Sequence, residues 1–175
     1  MRTLLLEPHQ IGEAAAVIRR GGLLVFPTET VYGLGASAWD NAACRRIFEA
    51  KARPPDNPLI VHIAGAAMLA EVASSVPAEA GRLFRAFSPG PLTLILPRGP
   101  RIPDAVTAGR DTVGVRIPSH AVAQELLKAS EMPIAAPCAN LSGRPSPPDF
   151  ATAVSQMQGR VDAILDGGHC EHGLE

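Results

Sequence analysis

Residues 22–35 read Gly22-Leu23-Leu24-Val25-Phe26-Pro27-Thr28-Glu29-Thr30-Val31-Tyr32-Gly33-Leu34-Gly35. The apolar run at 22–26 has the length of a buried strand. The residues after it carry two hydroxyls, a carboxylate and the chain's only tyrosine on a loop that glycine leaves sterically open. Just upstream, Ile11, Ala14, Ala15 and Ile18 recur at helical spacing over 10–20 and stop at Gly21-Gly22, a C-terminal signal. The same alternation extends in both directions. Short apolar runs predict strands at 2–6, 59–63, 92–96, 112–117, 133–137 and 161–165. Helical spacing predicts helices at 41–51 with Asp40 as N-cap, 66–73, 77–87, 119–129 with Ser119 as cap, and 149–157 with Asp149. Alternating strands and helices mark an α/β domain.

At 175 residues, 46% of them hydrophobic, the chain is long enough to bury a core as one domain without disulfides. Its 16 basic and 17 acidic residues leave a net charge of -1, which argues against holding nucleic acid by bulk charge. Three cysteines, no membrane-length apolar run and no targeting segment after Met1 point to a cytoplasmic protein. Sixteen Gly and 17 Pro, about 19% of the chain, exceed the ~12% of average usage. They fall in compact clusters beside the strands: PTETVYGLG (27–35), RPPDNP (53–58), SPGP (88–91) and NLSGRPSPP (140–148). Strand ends of open α/β sheets are where ligand crevices form, so the clusters are candidate walls of one site.

Gly33-Leu34-Gly35-Ala36-Ser37-Ala38 formally matches a dinucleotide fingerprint, but six residues separate it from the strand, and no Walker pattern is present. Lys51 and Arg53 lie one residue apart beside three prolines and suit a polyanion held at fixed points; helix-dipole compensation is the plainer account of Lys51. His62, alternating with apolar neighbours, reads as a core histidine or a ligand contact. Arg116 ends an apolar strand, where its guanidinium needs either an internal acid or a bound carboxylate or phosphate. Asn140, Ser142 and Ser146 supply amide and hydroxyl contacts. Cys138 lacks the surroundings of a thiol enzyme, and His169-Cys170-Glu171-His172 is weak as a metal site.

The ordered set PTETVYGLG, KARPPDNPL, VHI, SPGPLTLIL, VGVRIPSH, ANLSGRPSP and DGGHCEHGLE, spanning Val25 to Glu175, resembles the YrdC-like family of threonylcarbamoyl-AMP synthases. The resemblance implies a twisted mixed β-sheet flanked by helices with an open concave ligand cleft. It implies that L-threonine, bicarbonate and ATP, with Mg²⁺, give threonylcarbamoyl-AMP and pyrophosphate. Downstream proteins would transfer the threonylcarbamoyl group to tRNA. Carried over position by position, threonine contacts fall on Thr30, His62, Arg116 and Cys138. Nucleotide contacts fall on Lys51, Arg53, Asn57, Thr112, Asn140, Ser146 and Pro148. Lys51 and Arg53 would act on the developing phosphate charge.

Three positions depart from the family pattern. Cys138 stands where Ser is usual, and Pro148 where Thr is frequent. The chain also ends at Glu175, where the motif normally continues, so it is expected to be a single domain, residues 1–175, lacking its last C-terminal segment. Between Arg45 and Arg116 there are ten basic and six acidic residues. This local excess makes a module that binds double-stranded RNA in a positive cleft the alternative function.

Overall fold

The computed structural model describes residues 2–174. Among them, eight strands form one mixed sheet: β1 (Leu4–Leu6), β2 (Leu24–Phe26), β3 (Gly33–Ser37), β4 (Ile60–His62), β5 (Thr93–Pro97), β6 (Thr112–Arg116), β7 (Ile134–Ala136) and β8 (Ala163–Leu165). Their order across the sheet is β1-β8-β2-β3-β7-β4-β6-β5. β8 runs parallel to both β1 and β2, and β4 runs parallel to β6; the remaining pairs are antiparallel. The helices are α1 (Ile11–Arg19), α2 (Asn41–Lys51), α3 (Leu69–Val72), α4 (Ala78–Phe87), α5 (Asp104–Thr107), α6 (Ala121–Ser130) and α7 (Phe150–Met157).

Period-two alternation divides the core between the two sheet faces. Leu24 and Phe26 of β2, with Ile134 and Ala136 of β7, pack with Val17 and Ile18 of α1 and Leu126 and Leu127 of α6. Val25, Ala135, Val61 and Val115 point the other way, into a cluster with Ile47 and Phe48 of α2 and Met157 of α7. A strand buried on both faces reads as a continuous apolar run, which is why 22–26 carries no alternation.

Two caps behave as their sequence predicts. Asp40 accepts hydrogen bonds from the N–H groups of Ala42 and Ala43 at 2.9 and 3.0 Å, and Asp149 accepts from Thr152 N at 2.8 Å. Three expectations are corrected. The last part of 27–35, expected in an open loop, belongs to β3, paired antiparallel with both β2 and β7. A Cβ on Gly35 would come within 2.6 Å of Ile134 Cγ2 and 2.8 Å of Phe26 Cε1, so glycine here serves close packing within the sheet. The helix expected at 66–73 is a 3₁₀ turn (Ala66–Met68) followed by α3. At α6 the cap position is His120, without a side-chain cap bond; the preceding Ser119 donates its N–H to the Glu29 carboxylate instead.

Candidate active site

β4, β6 and β5 set His62, Arg116 and Thr93 side by side, because His62 pairs with Arg116 and Arg116 with Thr93. They share the sheet face of Ile134, where α1 and α6 cover only the far part. The PTET loop, leaving β2 on the same side, closes over them. The result is a cavity of about 250 Å³ whose lining includes Thr30, His62, Arg116 and Cys138, with Thr93 and Tyr32. The structure therefore brings together the four residues on which the family resemblance places the threonine contacts.

The loop over Arg116 is fixed by its own hydroxyls. Thr28 Oγ1 donates to Val31 O at 2.6 Å and lies 3.1 Å from Thr30 Oγ1. Such side-chain to backbone bonds hold a turn without regular structure. Arg116 Nη2 then donates to Glu29 Oε1 at 2.6 Å and to Thr30 Oγ1 at 3.1 Å, while Glu29 Oε2 accepts from Ser119 N. Burial pushes the Glu29 carboxyl up, but the hydrogen bond and charge of Arg116, with the backbone N–H groups, outweigh it and hold the group below its ordinary value. Of the two partners open to Arg116 in the sequence, the internal acid is present. The guanidinium nevertheless keeps one buried donor, Nε, with no partner among the described residues.

His62 donates from Nδ1 to Ile60 O at 3.2 Å and meets the Phe26 ring edge to face, with centroids 5.8 Å apart. Burial, followed by the charge of Arg116, lowers its pKa to about 4, so the imidazole is neutral at pH 7. It is both a buried sheet histidine and a cavity wall.

Lys51 is 1% exposed at the last turn of α2. Its Nζ donates to the carbonyls of Cys138 and Asn140 and to Asn140 Oδ1 at 3.1 Å, and its own carbonyl accepts from Ser142 N. Lys51 thus joins the cavity wall at Cys138 to the loop that carries Asn140. The loop is also held by Gln156 of α7, which donates to Pro145 O and accepts from Leu141 N, both at 3.0 Å.

The other residues of the nucleotide set are spread more widely. Arg53 is half-buried and lines a separate cavity of about 820 Å³ between α2 and α5. Asn57 and Thr112 are exposed, while Ser146 and Pro148 are half-buried. Pro147 O accepts from Tyr32 N at 2.9 Å, and Pro148 O from Cys170 N at 2.8 Å, tying this segment to the PTET loop and the C-terminal stretch.

Two contributors lie outside the set that the family resemblance marks. Glu29 stood in view between two threonines, yet nothing local paired it with an arginine 87 residues away. Tyr32 Oη donates to Gly168 O at 2.9 Å and accepts from Gly167 N at 3.0 Å, and burial raises its pKa well above the ordinary value. Among the described residues, no helix is long and apolar enough to cross a membrane, and no group of three His, Cys, Asp or Glu is gathered to hold a metal ion.

Residues 16–175 match the Sua5/YciO/YrdC family model, described as "Telomere recombination". The chain is 51% identical over 170 residues to the threonylcarbamoyl-AMP synthase of Pyrococcus abyssi, covering 97% of this chain and 50% of that protein. It is 48% identical over 167 residues to that of Bacillus subtilis, covering 95% and 48%. The crystal structure of P. abyssi Sua5 complexed with L-threonine superposes with a TM-score of 0.92 at 48% identity, covering 97% of this chain and 51% of that one. The chain thus spans about half the length of these relatives. With a sheet that superposes on Sua5 and a family match that takes in every strand from β2 to β8, the chain belongs to the Sua5/YciO/YrdC family.

Proposed function

We propose that the chain makes threonylcarbamoyl-AMP from L-threonine, bicarbonate and ATP with release of pyrophosphate, a nucleotidyl transfer whose product serves threonylcarbamoyl modification of tRNA by downstream proteins. The observation that carries this is the Arg116 corner. A guanidinium is fixed by Glu29 and Thr30 in a cavity of about 250 Å³, and its Nε is a buried donor that a bound carboxylate would satisfy. The activity named for the P. abyssi and B. subtilis relatives, and the L-threonine in the P. abyssi Sua5 crystal, support the same assignment.

In this scheme Arg116 clamps the threonine carboxylate, with Thr30, neutral His62 and Cys138 around the rest of the molecule. The amine takes up bicarbonate as a carbamate with loss of water. A carbamate oxygen then attacks the α-phosphorus of ATP, and pyrophosphate leaves. No enzyme nucleophile is needed, so the work of the chain is positioning and charge neutralisation. Lys51 and Arg53 supply positive charge; Asn57, Thr112, Asn140 and the Ser146–Pro148 segment hold the nucleotide. Mg²⁺ would be held by phosphate oxygens and water, as that ion favours, since no cluster of three acidic, His or Cys side chains is present among the described residues. It would supply charge neutralisation.

Double-stranded RNA binding is not favoured. Of the ten cations between Arg45 and Arg116, Arg46, Arg82, Arg98, Arg101 and Arg116 are ion-paired within the chain, and Lys51 is buried against carbonyls. Arg46 and Arg116 pair with Asp162 and Glu29, acids outside that stretch, so together with buried Lys51 they hold most of the local excess within the chain. Incubation with labelled bicarbonate, ATP and L-threonine should give a labelled adenylate and threonine-dependent pyrophosphate. Pyrophosphate release that ignores threonine, or no labelled adenylate, would overturn the proposal.

A further inference from the structure

On the other side of the SPGP loop lies a further cavity, of about 500 Å³, between α3, α4 and α6. Its apolar floor is made by Leu69, Phe84 and Ile117, all three buried. Arg85 of α4 and Lys128 of α6 stand on its walls, and no acidic residue lines it. Neither cation makes a hydrogen bond or ion pair among the described residues, unlike the five paired arginines elsewhere. Ser88 adds a buried hydroxyl that also lacks a partner among the described residues.

We infer that this cavity is a binding site for a small organic anion: a phosphate monoester or carboxylate attached to a compact apolar group. The apolar floor gives the body of such a ligand a surface to bury. The two cations facing one opening without an acid between them complement its charge, and the orphan hydroxyl offers it one more hydrogen bond. The volume falls in the range of small-molecule sites. The site is separate from the threonine cavity, although the two share a wall. Pro91 faces the first and Pro89 the second, Arg116 lines the first and Ile117 the second, and Gly90 N donates to Ile117 O at 2.8 Å between them. The inference does not depend on the synthase activity.

Residue-resolved amide NMR with phenyl phosphate as probe tests it, with phenylacetate and benzyl alcohol as the carboxylate and neutral comparisons. Saturable shifts at Gly65, Gly81, Ser88 and Gln124 are expected, with phenyl phosphate strongest and benzyl alcohol weakest. The Arg85→Ala/Lys128→Ala variant, altered only at exposed positions and checked by its melting temperature, should weaken phenyl phosphate binding at least about tenfold. Shifts confined to Thr30 and Cys138, no saturable shift at millimolar probe, equal affinity for the neutral comparison, or undiminished binding in the double variant would each overturn it.

Discussion

Around Arg116 the polar groups are buried and held by short bonds to one another; along 53–57 and at Thr112 the side chains assigned to the nucleotide stand partly or fully at the surface. The first region is preorganised. A guanidinium that already has an acid on one side cannot swing away, and desolvation strengthens what remains of its field. The second region lies closer to solvent, with Arg53 donating to Pro58 O at 3.5 Å, and polyanion recognition tolerates that exposure, because charge acts over a longer range than a hydrogen bond. Lys51 belongs to both, since its ammonium reaches the backbone of Cys138 in one and Asn140 in the other.

The strongest way to break this contrast is Arg116→Ala. It should leave Glu29 buried without its partner and cost roughly 3–5 kcal/mol of stability in chemical denaturation. Adding Glu29→Gln should recover much of that loss without restoring threonine binding, because the neutral amide no longer needs a cation but supplies no clamp. Recovery of both together would mean that Arg116 acts only as a structural partner. Lys51→Ala should come next, at about 3 kcal/mol, since it removes a buried stem and strands two carbonyls. The bridging position adds a kinetic signature: KM should rise for both threonine and ATP. A rise for ATP alone would place Lys51 wholly in the nucleotide region.

Much of this was legible in the sequence, and what escaped has physical reasons. The runs at 22–26, 59–63 and 112–117 announce strands because each is built on Val, Ile or Leu and bounded by turn residues. β3 escaped because Gly33-Leu34-Gly35 has the composition of a loop, and its strand character comes from packing against Phe26 and Ile134, which no local pattern records. Asp40 and Asp149 announced their helices, whereas the start of α6 is influenced by Glu29, 90 residues earlier in the chain. In the site, Thr30, His62, Arg116 and Cys138 could be marked individually by family resemblance, but the Glu29 ion pair that orients Arg116 became visible only with the sheet assembled.

Acid should sharpen the contrast further. His62 is depressed in the folded state to about 4, so the unfolded chain binds more protons between that value and ~6.5, and stability is present above this window and lost as pH falls through it. Between pH 7 and pH 5 the loss should be about 2 kcal/mol by chemical denaturation, flattened in His62→Asn. The lowered carboxyl of Glu29 acts in the same direction at still lower pH. A stability flat from pH 7 to 5 would mean that His62 is not buried as described. The smallest effect is expected at Cys138→Ser. A hydroxyl there is a better donor than a thiol, so threonine affinity should rise a few-fold, worth under about 1 kcal/mol, with no change in KM for ATP.

If the Arg116 corner holds the carboxylate of L-threonine, isothermal titration will separate L-threonine from L-threoninol, which lacks that carboxylate. The protein should bind L-threonine, bind L-threoninol at least about a hundredfold more weakly, and lose the difference in Arg116→Ala. Equal affinity for the two compounds, or L-threonine binding unchanged in Arg116→Ala, would contradict it.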